Sequence, residues 1–466
     1  MLLWPYRRAM RRLVLLLVFA STLAAAEPER GKLVENVAAR NDATQTYTLY
    51  LPSSYDAAKK YPALVILDPR GRGTVAAKVF RPAAEEYGWI LVSSNQTRSD
   101  GEWEPNVKAL RAIMPDVTSR YATDPRRIYA TGFSGTAMVA WHLGITTGAL
   151  AGVIGVGGRN IPDMPPEKFN FAHYGFSGDE DFNNRDMRDV EAILDREHQV
   201  PHRFASFPGT HQWIGVEEAR AALGWMELVA MADGKRPRDE ALIERLYAAD
   251  VAAAAALEAA GRRVDALQRY RDISRTFESL HDVSALRRAI ARLTDDPAVA
   301  REREETAKWA AFEQDYVTTV LSRIPQLFAT IRGQHLPPVP TFTQELRIAD
   351  LQKRATRPGL EGTTARRLLE AVFGQFNAYL PKQLFERHEY ALALALFTVA
   401  RNIHDDRPNN WYNLATAHAR LGQTKKALDA LEKAISLGWT DRTAIANDED
   451  FTSLRKEPRF KKLTAK

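Results

Sequence analysis

The chain has no cysteine anywhere in its 466 residues. That absence excludes disulfides, thiolate metal sites, a cysteine nucleophile and lipid attachment at a cysteine. A chain of this length can do without disulfides, because it has enough residues to bury a sizeable core. Long apolar runs are also lacking beyond the opening residues, so nothing further along reads as a membrane span. A large excess of one sign of charge is lacking as well. The formal net charge is +6, and four of the positive charges, Arg7, Arg8, Arg11 and Arg12, sit in an opening segment that carries no acid. The remainder is nearly balanced, which gives no reason to expect a nucleic-acid partner. No metal or organic cofactor is implied.

What the opening segment does have is the layout of a secretory leader. The four arginines precede the apolar run Leu13 to Ala20, and Ala24-Ala25-Ala26 supplies an A-x-A cleavage site. The expectation is a signal peptide over residues 1–26, an exported protein starting near Glu27, and a periplasmic or extracellular location. The apolar run is far short of the ~20 residues that cross a bilayer, so no span remains after cleavage.

From about Gly31 to Met231, short β-branched or aromatic runs alternate with amphipathic helical ones. This pattern predicts a mostly parallel sheet flanked by helices. The strand candidates are Gln45 to Leu51, Ala63 to Leu67, Trp89 to Ser93, Arg127 to Thr131, Gly152 to Val156, Phe171 to Phe176 and Arg203 to Phe207. Val107, Leu110, Met114, Val117 and Tyr121 recur at helical spacing, with Pro115 expected to kink or shorten that helix. After Gly234-Lys235-Arg236-Pro237 strand signals stop and alanine, leucine, arginine and glutamate take over, marking an all-helical second domain. It divides into residues 240–330, a proline-rich linker over 331–342, and 343–466. Ala393, Phe397 and Ala400 are matched 34 residues later by Ala427, Leu431 and Ala434, and Trp411, Leu414, Ala415 and Gly422 complete a tetratricopeptide-like spacing over about 378–466. Gly261, Ala266, Tyr270 and Ile273 form a weaker match. Such repeats can bind a protein partner; an ordinary helical bundle is the alternative.

The chemistry-bearing residues lie in the first domain. Ser134 sits in Gly132-Phe133-Ser134-Gly135, between a strand candidate and a helical run, the setting of a nucleophile elbow. A neutral hydroxyl needs a base to take its proton and a carboxylate to orient that base. His211, after the last strand candidate, and Asp181, in Gly178-Asp179-Glu180-Asp181, can fill those roles, and each follows a strand at its carboxyl end. Asp179 is an alternative acid. Asp179, Asp181 and Asn183 also alternate as in a calcium loop, although Asn184 and Val190 stand where that loop needs glycine and glutamate. Thr136 replaces the glycine usual at its place in the elbow. His142, His173, His198 and His202 read as structural. For an oxyanion the donors would be the N–H of Gly135 and one from the loop Asp68-Pro69-Arg70-Gly71, where Pro69 has none and Arg70 or Gly71 must serve.

The segments Tyr47-Thr48-Leu49-Tyr50-Leu51-Pro52, Asp124-Pro125-Arg126-Arg127-Ile128-Tyr129 with Thr131-Gly132-Phe133-Ser134-Gly135, and Gly209-Thr210-His211-Gln212-Trp213 resemble secreted α/β-hydrolases of the polyhydroxybutyrate depolymerase and feruloyl esterase-like group. The resemblance covers roughly residues 31–233. It implies an α/β-hydrolase fold, the order serine, acid, histidine for Ser134, Asp181 and His211, and Arg70 as oxyanion donor, with Asp68-Pro69 replacing the usual histidine and glycine. It also implies hydrolysis of a small-molecule or polymeric carboxylic ester through an acyl-serine, in a pocket lined by Asn95, Trp103 and Trp213. A peptidase of the same fold, or a non-catalytic scaffold whose repeats bind a partner, are the competing readings.

Overall fold

The computed structural model describes residues 29–158, 169–197, 200–324 and 339–465, so the expected leader and His198 lie outside the described residues. The first half is built on one eight-stranded sheet of order β1-β2-β4-β3-β5-β6-β7-β8. β1 (Leu33–Ala39) and β2 (Asp42–Tyr50) form an antiparallel pair, and β2 also runs antiparallel to β4 (Ile90–Ser94). From there every pairing is parallel, through β3 (Tyr61–Leu67), β5 (Thr123–Phe133), β6 (Gly152–Val156), β7 (Ala172–Gly178) and β8 (His202–Phe207). This is the mostly parallel sheet that the alternation of runs predicts.

The period of two along each strand divides the core into two layers. Ala63, Val65 and Leu67 face one side, where they meet α2 (Glu104–Arg120), α3 (Gly135–Thr147) and α4 (Asn184–Glu197). Leu64 and Ile66 face the other, against α1 (Gly73–Tyr87) and α5 (Val216–Ala232). The edge strand β1 was not among the expected ones. Its register shifts between Val34 and Val37, and Asn36 has φ 55°, so a bulge breaks the alternation that would have marked it. α2 continues through Pro115. The Arg111 carbonyl, which Pro115 leaves without a helical donor, accepts instead from Asn41 Nδ2 at 3.4 Å.

The second half is entirely helical among the described residues. α6 (Glu240–Ala259), α7 (Arg263–Phe277) and α8 (Ser284–Thr294) share a core with Leu228 and Met231 of α5. α9 (Pro297–Thr319), which at 23 residues is ~34 Å long, carries the chain to a larger core centred on Tyr316, Phe342, Phe376 and Phe397. Of the expected linker, 331–338 lies outside the described residues, while 339–342 opens the helix Val339–Glu345. The 34-residue spacing falls on the helices Tyr390–Ile403 and Thr424–Ser436, with Pro408–Arg420 between them.

Polar groups tie the halves together. Arg203 of β8, itself buried, donates to Asp250 of α6 at 2.9 Å, and Asp250 also accepts from Arg269 of α7 at 2.6 Å. The buried carboxylate of Glu227 in α5 accepts from Trp89, from Arg127 of β5 and from Arg236 of the connecting segment. Leaving these donors without their carboxylate is expected to be severe. Glu227→Leu should lower stability by ~3–5 kcal/mol, read from the midpoint of urea unfolding, with Glu227→Gln losing less.

Glu191 of α4 faces α7, and its Oε1 has no partner among the described residues. Burial, aided by Asp272 and Asp195 and opposed by Arg188 and Arg275, pushes its carboxyl up to about 8. The folded state therefore holds a proton that the unfolded state releases, between the ordinary glutamate range and that value. Stability should decline as pH rises through this window, and Glu191→Gln should flatten the decline. Urea midpoints at about pH 5 and about pH 9 measure it.

Candidate active site

Ser134 sits between β5 and α3 with φ 57° and ψ −132°, a conformation that L-residues avoid. Its N–H donates to Val156 O at 2.9 Å, which fixes the turn to β6. Gly132 has no room for a side chain, because a β-carbon there would lie 2.2 Å from Thr136 O. Thr136, standing where the motif usually has glycine, adds a bond of its own. Its hydroxyl donates to Leu67 O at 2.6 Å and accepts from Phe133 N–H at 3.1 Å, tying the elbow to the end of β3.

The structure brings Ser134, His211 and Asp181 together. His211 Nε2 is 2.9 Å from Ser134 Oγ, and its Nδ1 is 3.0 Å from both carboxylate oxygens of Asp181. These partners select one tautomer, with Nδ1–H donating to the carboxylate and Nε2 free to accept the serine proton. Asp181 is fully buried, and one of its oxygens accepts from Asn183 N–H at 2.8 Å. Gly157, at φ 52°, makes this possible, since a β-carbon there would stand 2.7 Å from Asp181 Oδ2. The His211 ring lies between two phenyl rings, Phe133 at 4.6 Å and Phe182 at 4.4 Å between centroids.

Asp179 has different work. Its Oδ1 accepts from Gly209 N–H at 3.0 Å, and its own N–H donates to Phe207 O at 2.9 Å, so it pins the loop that carries His211. Among the other histidines, His202 bonds Asp195 at 2.9 Å, and His142 meets Trp103 edge-on. His173 is packed against Trp141, and burial pushes its ring down to about 3, so it stays neutral.

The loop after β3 departs from expectation. Asp68 is fully buried and draws the following amides onto itself. Arg70 N–H donates to Oδ1 at 2.8 Å, Arg72 N–H to Oδ1 at 3.1 Å, and Gly71 N–H to the Asp68 carbonyl at 3.2 Å. The Arg72 guanidinium and Trp213 Nε1 also bind the carboxylate, at 3.2 and 3.0 Å. Burial alone would raise this acid, but the bonds from Arg72, Trp213 and the Arg70 amide outweigh it and hold the carboxyl below its ordinary range. Arg70 thus lines the cavity while its N–H points at Asp68.

The expected pocket residues also sit elsewhere. Trp213 is drawn to Asp68 and packs on Phe80 and Phe133; Asn95 bonds Thr46 at 3.0 Å; Trp103 is exposed on the surface. The cavity over Ser134 and His211 has a volume of about 790 Å³, within the range of small-molecule sites. One wall is the loop Ser99-Asp100-Gly101, and the opposite wall belongs to the helical half, including Phe373, Asn377, Tyr379 and Lys382. Three tethers fasten that wall to the loops of Asp179, Glu180 and Asp100. Arg366 pairs with Glu180, Arg367 Nη1 donates to Asp179 O at 2.8 Å, and Lys382 Nζ donates to Asp100 O at 2.7 Å. Sequence reasoning missed these residues. Phe182, next to Asp181, was within reach of it; Tyr379 and Lys382 lie in no motif.

No protein-family model matches the chain, and no curated protein does. Among solved structures it is similar to a thermostable esterase, 16% identical over 42% of this chain and 62% of that one, with a TM-score of 0.34. It therefore spans less than two thirds of that protein. A substrate-bound fluorophosphonate-binding serine hydrolase of Staphylococcus aureus is 15% identical over 42% of this chain and 99% of that one, TM-score 0.34. A ferulic acid esterase of the anaerobic fungus Anaeromyces mucronatus is 17% identical over 42% and 89%, TM-score 0.33.

The Thr136 hydroxyl is expected to matter for stability. Thr136→Val keeps the shape but leaves Leu67 O and Phe133 N–H unpaired in a buried place. A loss of ~1–3 kcal/mol in the urea unfolding free energy is the outcome.

Proposed function

We propose that this protein is a serine hydrolase that cleaves a carboxylic ester through an acyl-serine intermediate. The observation that carries the reading is the continuous hydrogen-bond chain from Ser134 Oγ through His211 to buried Asp181, on a serine held in a strained turn. In this mechanism Ser134 attacks the ester carbonyl while His211 Nε2 takes its proton. His211 then returns that proton to the leaving alkoxide, and water repeats the sequence to release the acid. Asp181 holds the imidazole in place and stabilises its charged form. Phe133 and Phe182 pack against the imidazole ring.

The cavity is roofed by the helical half, chiefly by the helix Gly359–Gly374 and the turns that continue it to Glu386, so that half would form part of the substrate pocket. The arginine-rich opening, the apolar run and Ala24-Ala25-Ala26 support export of the same enzyme.

Reaction of the purified protein with a fluorophosphonate probe and turnover of p-nitrophenyl acetate test the proposal. Wild type should label and turn over. Ser134→Ala should not label, and should lose at least ~10⁴-fold in kcat. Asp181→Asn should lose ~10⁴-fold, because it favours the wrong tautomer. Asp179→Asn should change stability more than kcat. Folded wild type that neither labels nor turns over would sink the hydrolase reading, and an equal kcat loss in the two aspartate variants would sink the assignment of the acid.

A further inference from the structure

Attack on an ester carbonyl moves a pair of electrons onto oxygen, and preorganised donors must meet that charge. The Gly135 N–H is the first candidate donor. It opens α3, where the first-turn amides have no carbonyl of their own helix to meet. The second donor should come from the loop after β3, and here that loop is closed. Pro69 has no N–H, and the amides of Arg70, Gly71 and Arg72 are all turned onto Asp68. The Asp68 carboxylate is itself bound by Trp213 Nε1 and the Arg72 guanidinium, which fix it in the turn.

We propose that the missing oxyanion donor is the phenol of Tyr379, delivered by the helical half. This rests on the hydrolase reading. Tyr379 lines the same cavity as Ser134 and His211. It ends the π-helical turn Gln375–Tyr379, which continues the helix Gly359–Gly374. Such a turn holds one residue more than an α-turn, and so rotates the residues C-terminal to it by roughly 100° around the axis. Gly374 just before it lies beside both rings: a β-carbon there would be in ordinary contact, 3.6 Å from Phe182, which packs on His211, and 3.9 Å from the Tyr379 ring. The tethers from Arg366, Arg367 and Lys382 hold this segment against the loops of Glu180, Asp179 and Asp100.

The phenol is also in the right protonation state. Burial raises its pKa most, Asp100 and Asp181 add to the rise, an interaction with Ser134 opposes it, and the result is a group pushed up to about 12. It remains a neutral O–H donor throughout the working range of a histidine base. As the Ser134 Oγ to carbon bond forms, the carbonyl π pair moves to oxygen, the serine proton goes to His211 Nε2, and Tyr379 donates a hydrogen bond without giving up its proton. The hydrolase domain alone therefore has half an oxyanion site, and the helical half completes it.

The test is the rate of phosphonylation by a fluorophosphonate probe, whose P=O oxygen occupies the oxyanion position. In the full chain, Tyr379→Phe keeps the ring and removes only the hydroxyl. The maximal rate of inactivation should fall ~10²–10³-fold, with the apparent probe affinity, the labelled residue Ser134 and the urea midpoint unchanged. A maximal rate within threefold of wild type would overturn the proposal while leaving the hydrolase reading intact. So would a loss confined to probe affinity, since that makes Tyr379 a binding surface only. Wild type that does not label at all would overturn both.

Discussion

A serine held at φ 57° and ψ −132° costs ~1–3 kcal/mol, and it stays there only if its surroundings over-determine it. The rest of this molecule can be understood as that over-determination. The Ser134 amide is bound to β6, the Thr136 hydroxyl ties the turn to β3, and Gly132 removes the β-carbon that would collide with the following helix. The order of strands puts β5 between β3 and β6, so both anchors come from immediate neighbours. Once the elbow is set, the parallel sheet delivers the acid loop after β7 and the histidine loop after β8 to the same carboxyl edge, the place where such sheets gather their functional groups.

The Asp68 cluster shows the same economy of position with a different result. A buried carboxylate must be satisfied, and here two backbone amides, one guanidinium and one indole are recruited to do so. That makes the loop rigid and also withdraws it from the cavity. Trp213, two residues beyond His211, is one of the donors, so the same cluster braces the histidine loop from below. The helical half then stands where the open side of the sheet would otherwise face solvent, fastened through the acid loop and the Ser99-Asp100-Gly101 loop. Movement of that half would alter the cavity directly.

Much of the sheet-bearing half was legible in the sequence because its information is local. Seven strand runs, the glycine-flanked Ser134 and the two loops with Asp181 and His211 each declare themselves within a few residues, and a chain order is readable without a structure. The edge strand β1 was not legible, because its bulge at Asn36 breaks the alternation. Thr136 read only as a replacement of the usual glycine and turns out to be a cross-link, a difference that depends on Leu67 lying 69 positions upstream in sequence and 2.6 Å away in space. Arg70 and Gly71 were sensible donors by position; the side chain of Asp68 takes the first amide and its carbonyl the second.

The sequence by itself determined the class of fold, the break into an all-helical second half and the residues able to form a serine, histidine and carboxylate chain, since periodicity and turn chemistry are properties of neighbouring residues. Only the tertiary structure decided which aspartate meets His211, which amides remain free, where Asn95, Trp103 and Trp213 go, and that Tyr379 and Lys382 reach the site. Each of these depends on contacts between segments far apart in the chain, and single-sequence patterns carry no record of which distant side chain will arrive to satisfy a buried group.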